Sequence, residues 1–223
     1  MVEQLPVERI EYLRAPVEGF EVDSVPAAPL GLFRAWLAEA VAAGLPEPNA
    51  ATLATADGRG HPSARLMLVK VVDARGFCFF TNYGSRKSRE IEANAHVALL
   101  FGWHAIHRQV LVRGRAERLP RAESQEYFAS RPRGAQLGAW ASLQSQEVSR
   151  SELDERIAAV GEHFAEVDPI PMPDYWGGYV VVPETVEFWV GRFSRLHDRV
   201  EYRRTAPGGI DDGAAWSRRR LSP

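Results

Sequence analysis

The chain has 223 residues, 45% of them apolar, with one cysteine and a formal net charge of −2. That length suits one domain, or one domain with appended segments, and can bury a real core. A near-neutral charge offers nothing global to nucleic acid or an anionic membrane, a lone Cys78 excludes a disulfide framework and a cysteine-based metal site, and no apolar stretch of ~18 residues offers a transmembrane helix.

The first residues, MVEQLPVERIEY, carry no basic segment followed by an apolar one, so no signal peptide is expected and the chain reads as cytoplasmic. Residues 1–28 hold several prolines and little periodicity, and read as a flexible arm. Over 30–43, Phe33, Trp36, Leu37, Ala40 and Val41 fall on one helical face, and Gly44 can close the helix. From residue 51 to 119 the texture turns to strands. ATLAT and SARLMLVKVV flank Asp57-Gly58 as a hairpin, and a turn over 73–76 precedes the apolar FCFF. A short helix starts near Ser85, and HVALLFGW and RQVLVRGRAERL follow as strands. Residues 120–130 read as a helix stopped by Pro132. Ser149 and Glu152 have capping-box spacing ahead of a helix whose face is Leu153, Ile157, Val160 and Phe164. IPMPDYWGG is a loop, and YVVV, TVEFWV, RLHDRVEYRR and AWSRRRL close the chain as strands. About eight short strands with helices between them suggest a barrel-like antiparallel sheet, not alternating βαβ units.

Four groups can carry chemistry. In GSRKSRE, Ser85 is a candidate N-cap, and Arg86 and Lys87 fall in the first helical turn. Cations there oppose the helix dipole unless an anion joins them, so the segment is either a phosphate site or a solvated basic turn. In RLHDR, a strand would put Arg195, His197 and Arg199 on one face, as an anion-binding row or as a row on an exposed edge. Tyr127 and Arg131 are four apart on a helix, a spacing that serves a phosphate or a simple surface pair. Arg65 and Lys70 differ in parity, so an ideal strand separates them, and a shared ligand needs a bulge or strong twist. Trp36, Trp103, Trp140 and Trp176 read as core, and Trp189, shortly before RLHDR, is the best aromatic candidate for a flavin. No metal-ligand spacing, GxGxxG, Walker loop or G-x-S-x-G is present, so no metal is expected.

Taken in order, RLMLVK, FFTNYGSRK, RQV, EYFASRPRGAQLGAWAS, QS, YWGG, FWVG, RLHDR and the terminal RRLSP resemble the pyridoxine/pyridoxamine 5′-phosphate oxidase family from about residue 30 to 223, with RIEY (9–12) a fainter match. The resemblance implies a mainly β fold: an FMN-binding split β-barrel, antiparallel and Greek-key-like, with flanking helices, occupying residues 29–223. It implies oxidation of pyridoxine and pyridoxamine 5′-phosphates to pyridoxal 5′-phosphate, with O2 as acceptor and hydrogen peroxide released. It also implies a homodimer with active sites at the subunit interface. By position, FMN would be met by Arg65, Leu66, Met67, Leu68, Val69, Lys70, Phe80, Thr81, Gln109, Gln144, Ser145, Trp189 and Arg199, with Arg86 and Lys87 on its phosphate. Lys70, Tyr127 and Arg131 would hold the substrate phosphate, Arg195 and His197 would be the catalytic pair over its ring, and Gln144 and Ser145 would be candidates for contacts crossing between subunits. The sequence departs from the family pattern at Ala135, where a serine is common, and at Val190, Gly102 and Ile10. The rival readings are a flavin oxidase of the same fold acting on another ring, such as a phenazine precursor, and a non-catalytic FMN- or pyridoxal phosphate-binding protein.

Overall fold

The computed structural model describes Tyr12 and residues 20–223. Most of the expected arm, and RIEY apart from Tyr12, therefore lies outside the described residues. Helix α1 (Pro29–Ala42) starts with a proline in its first turn, where a missing N–H costs nothing. It buries Leu30, Phe33, Trp36 and Ala40, while Val41 is exposed, so the apolar stripe runs one step away from the expected face.

Strands β1 (Ala50–Ala56) and β2 (Pro62–Leu68) form the expected hairpin, closed where Asp57 Oδ1 accepts from the backbone N–H of Arg59 and of His61, both at 2.9 Å. The single strand expected over SARLMLVKVV is in fact two. Val69 N donates to Asn49 O at 3.0 Å and Lys70 N to Cys78 O at 2.8 Å, so the backbone changes partners here. It then pairs as β3 (Val71–Asp73) with β4 (Gly76–Asn82). Gly76 closes that turn at φ +151°, where a Cβ would run into the Val181 carbonyl. Helix α2 (Arg86–Ala93) is capped by Ser85, and β5 (His96–Trp103) and β6 (Arg108–Arg118) follow.

After α3 (Arg121–Ser130), Pro132 does not end helical structure; it starts a second helix, α4 (Arg133–Ala141). Helix α5 (Arg150–His163) has the complete Ser149–Glu152 capping box, yet none of its residues is fully buried and Ile157 is 47% exposed. Only the end of the expected face is covered: Val160 packs against the core and Phe164, just past the helix, is buried. YVVV and TVEFWV form one strand, β7 (Trp176–Val190), because Pro183 and Glu184 are accommodated without a turn. Strands β8 (Asp198–Arg204) and β9 (Trp216–Arg220) complete nine among the described residues. The strands pair in the order β2-β1-β5-β6-β7-β4-β3, with β8 against β7 and β9 against β8. No helix among the described residues is long and apolar enough to cross a membrane.

The chain divides into two compact units, with the residues up to Pro48, Phe101–Leu111 and Thr185–Pro223 in the first, and Asn49–Leu100 and Val112–Glu184 in the second. The first is packed around aromatic rings: Trp36 meets Phe188 edge-on at 5.1 Å, and Phe33 meets Phe101 at 5.0 Å. The second centres on Phe128, Phe164, Ile170, Met172 and Trp176, which fixes α3 and α4 beside β4 and β7.

Candidate active site

A cavity of about 580 Å³ opens in the second unit. Its walls come from the end of β2, from β4, and from α3, α4 and the loop after α4. Lys70 lines it, where the backbone changes partners at residues 69–70, while Arg65 does not. Phe80, Tyr127 and Trp176 form one stack beside it: Phe80 and Tyr127 lie 3.8 Å apart at 14°, and Phe80 and Trp176 5.6 Å apart at 9°. Trp176, expected as core, is both core and cavity wall. The guanidinium of Arg131 lies 4.8 Å over the Trp176 ring, and its Nη1 is buried with no hydrogen-bond partner among the described residues. Burial lowers the Arg131 pKa, and it raises that of Tyr127. A desolvated guanidinium with an idle donor is costly by itself and is satisfied by an anion. Ala135 also lines the cavity, so that departure from the family pattern falls on its wall.

A second cluster adjoins through Thr81 and Gln144, which line the cavity. Lys87 Nζ donates to Thr81 Oγ1 and Gln144 Oε1, both at 3.0 Å, and to Ser85 Oγ at 3.4 Å. These acceptors are neutral. Burial, with the Arg65 guanidinium nearby, pushes the Lys87 pKa down to about 8. Arg65 itself is turned into a polar knot, donating to Leu53 O, Thr55 Oγ1, Ser63 Oγ and Glu90 Oε2. Glu90 also accepts from Arg86 Nε at 2.8 Å. Burial alone would raise the Glu90 carboxyl, but the hydrogen bonds from Ser63, Thr55, Arg86 and Arg65 outweigh it and hold the pKa at about 2. The backbone N–H of Arg86 donates to Ser145 Oγ at 3.1 Å. Gln144 and Ser145 thus meet Thr81, Lys87 and Arg86 of their own chain, which supplies an intrachain role where a contact crossing between subunits had been expected. Two arginines on one carboxylate, with Lys87 beside Arg65, leave two positive charges uncompensated, close to the charge of a phosphate monoester at neutral pH. These residues therefore fit the phosphate of a mononucleotide.

The RLHDR row belongs to the first unit, and its geometry differs from the expected strand. Phe193–Arg195 form a 3₁₀ turn, with Ser194 at φ +55° and Arg195 at φ +64°, and β8 begins only at Asp198. The strand alternation invoked for Arg195, His197 and Arg199 does not exist, because left-handed residues break the period of two. Two successive side-chain-bearing residues in that region store strain of about 1–3 kcal/mol each. His197 Nδ1 accepts the Arg192 N–H at 3.1 Å, which fixes the ring and leaves Nε2 outward. The ring lies 4.6 Å from Trp189, and Tyr12 stands edge-on to His197, Trp189 and His107. Burial first, then Arg195, lowers the His197 pKa against the opposing Asp198. Arg199 is chelated by Glu187, at 2.8 and 3.1 Å, and donates to Ser222 O at 2.7 Å. Arg195 is exposed, Gln109 is half-buried on β6, and Leu66 is 68% exposed.

Sequence reasoning did not single out Glu90, Glu187 or the cavity face of Trp176. Glu90 carried a legible signal, its i, i+4 spacing from Arg86. Glu187 had none, since its pairing with Arg199 depends on β7 and β8 lying side by side.

A family model described as pyridoxamine 5′-phosphate oxidase matches residues 37–164, and one described as the pyridoxine 5′-phosphate oxidase C-terminal dimerisation region matches 176–223. A pyridoxine/pyridoxamine 5′-phosphate oxidase of Rubrobacter xylanophilus is 54% identical over 96% of this chain and 94% of its own. One of Salinibacter ruber is 52% identical over 96% and 97%. Among solved structures, PhzG of Burkholderia lata 383, in complex with tetrahydrophenazine-1-carboxylic acid, matches with a TM-score of 0.83 and 31% identity over 94% of this chain and 98% of that one. A pyridoxamine 5′-phosphate oxidase-related, FMN-binding protein of Nostoc punctiforme matches at 0.67 with 16% identity, over 86% and 97%, a likeness of fold alone. These matches bear out the split β-barrel fold, mainly β with flanking helices.

Proposed function

This chain belongs to the pyridoxine/pyridoxamine 5′-phosphate oxidase family, an oxidoreductase family whose C-terminal dimerisation region it carries, and from that premise we propose that it is an FMN-dependent oxidase making pyridoxal 5′-phosphate. The alcohol, pyridoxine 5′-phosphate, and O2 give the aldehyde and hydrogen peroxide. The amine, pyridoxamine 5′-phosphate, consumes one water as well and releases ammonia. The observation that carries the substrate class is the buried, unpartnered Arg131 Nη1 in a cavity shared with Lys70 and Tyr127. Three donors around one cavity suit a phosphate held away from the reacting carbon, so that its binding energy aligns the ring.

The flavin, when bound, supplies the two-electron acceptor for a hydride from the 4′ carbon of the substrate and passes the electrons to O2. On this reading, Arg86 and Lys87 hold its phosphate, with Arg65 behind them. The segment 65–70, Phe80, Thr81, Gln109, Gln144 and Ser145 line its binding place, and Trp189 and Arg199 complete it. Arg195 and His197 orient the substrate ring. With Nδ1 accepting the Arg192 N–H and a lowered pKa, neutral His197 carries its proton on Nε2 and presents that N–H to a hydrogen-bond acceptor on the substrate. The active enzyme is a homodimer with active sites at the subunit interface. One oxidase domain spans 29–223, behind an arm over 1–28.

The relative of known structure that holds a phenazine acid favours a second reading, a flavin oxidase acting on an unphosphorylated tricyclic acid. Anaerobic titration decides between them. The purified yellow protein is expected to bleach with pyridoxine 5′-phosphate, and with pyridoxine itself only at far higher concentration. Bleaching by a reduced phenazine acid, with none from the phosphate ester, would overturn the proposal.

A further inference from the structure

The cluster beside the cavity contains one carboxylate, and its position is unusual for a site meant to take an anion. Glu90 is buried, with its side chain 6% exposed, yet it stands among the cations proposed above to meet a phosphate. Its two oxygens do different work. Oε2 accepts from Thr55 Oγ1 and Ser63 Oγ, both at 2.5 Å, and from Arg65 Nη2 at 3.1 Å. Those three donors belong to β1 and β2. Oε1 accepts from Arg86 Nε at 2.8 Å, within α2. One side chain therefore ties the helix that carries Arg86 and Lys87 to the strand that carries Arg65. Arg86 is otherwise 63% exposed, and without that bond nothing in its own turn fixes the guanidinium.

We infer that Glu90 is a positioning residue for the flavin phosphate: it presents the Arg86 guanidinium by occupying Nε, and it registers α2 against β2. This rests on the proposed cofactor assignment. An electrostatic account alone gives the opposite sign, because a carboxylate near a phosphate repels it. The two effects can therefore be told apart by experiment. In Glu90→Gln the amide must put its NH2 toward either Arg86 or the three donors at Oε2. Facing one donor costs less than facing three, so the NH2 turns to Arg86 and releases it, while Arg65 stays tied.

The test uses the full chain stripped of flavin and titrated with FMN and with riboflavin, followed by flavin fluorescence. The native chain is expected to prefer FMN. Equal affinity for both would sink the phosphate assignment itself and leave Glu90 nothing to position. If the native chain does discriminate, Glu90→Gln should lower the FMN-over-riboflavin preference about tenfold, the worth of one charge-assisted hydrogen bond, with riboflavin affinity unchanged. Arg86→Ala should lower the preference in the native background and add little in Glu90→Gln, since the guanidinium is already released there. An unchanged or increased preference in Glu90→Gln, or additive effects of the two substitutions, would overturn the inference and leave Glu90 a bystander or a repulsive charge. Should Glu90→Gln not fold, Ser63→Ala removes one donor to Oε2 and leaves every charge in place. It is expected to lower the same preference about threefold, and an unchanged ratio there counts equally against the inference.

Discussion

Strands β8 and β9 on one side, and the cavity on the other, treat their cations in opposite ways. On β8 and β9, Arg199 meets Glu187, Arg219 meets Glu201, and Arg220 meets Asp198 and Glu21. Around the cavity, Arg131 has a buried idle donor and Lys87 has only neutral acceptors. A buried cation with a carboxylate is satisfied by the fold. A buried cation without one costs the fold stability and is offset only by something that binds. On the proposed function, Arg131 and Lys87 meet anionic ligands, while the pairs on β8 and β9 hold strands in register.

The largest effect expected from that contrast is functional. Arg131→Ala should lower kcat/KM for pyridoxine 5′-phosphate about a hundred- to a thousandfold, two charge-assisted bonds lost. The melting temperature should not fall, because the native guanidinium is desolvated and underused. A clear drop in melting temperature would break the comparison, showing Arg131 to be structural. Glu187→Ala should do the reverse. Glu187 is buried, with its side chain 5% exposed, while Arg199 is 27% exposed and keeps some solvent. We expect a loss of about 2–3 kcal/mol in urea unfolding, the low side of the cost of breaking a buried pair, because Arg199 is partly solvated. An unfolding curve matching the native one would mean the pair is dispensable.

Lys87 sharpens the comparison through pH. Its pKa in the flavin-free chain is lowered to about 8, below the ordinary lysine value. A phosphate beside it favours the protonated form, so FMN affinity should be full below pH 8. It should then fall, by up to tenfold per pH unit, as pH rises through 8 toward the raised pKa of the complex. Stability of the flavin-free chain moves the other way. A lysine whose folded pKa is depressed opposes folding while protonated, and that penalty fades as pH rises from about 8 toward the unfolded value. FMN affinity that stays flat from pH 7 to 9 would show that Lys87 is not at the phosphate. The smallest effect is expected on the surface. Arg118 and Glu92 pair at 2.9 Å with both side chains 52% exposed, so Arg118→Ala should cost about 0.5 kcal/mol in the same unfolding measurement. A larger loss would mean that its stacking over Tyr83, not the ion pair, carries the weight.

Where local chemistry decides, the sequence was sufficient. The Asp57 turn, the Ser85 cap and the Ser149–Glu152 capping box stand where residue type and spacing put them. The ordered motifs named the family that the comparisons show. Long-range effects were less legible. Strand parity separated Arg65 from Lys70, and the structure keeps them apart, but only tertiary packing put Lys70 on the cavity and Arg65 in the Glu90 knot. The RLHDR alternation failed for a related reason: left-handed residues at 194 and 195 delay the strand, and no residue type there announces them. The apolar face of α5 was read correctly as a pattern, but most of it is uncovered within one chain.

By itself, then, the sequence determined most of the segments that fold as helix or strand, several of their caps, and which cations are candidates for phosphate, since these depend largely on neighbours within four or five residues. Only the tertiary structure decided which of those cations are already spoken for. Arg199 finds Glu187, and Arg65 finds Glu90, through strand pairing and a helix packed on a sheet. Among the described residues Arg131 and Lys87 find no carboxylate: the groups packed against them are an indole, hydroxyls and an amide.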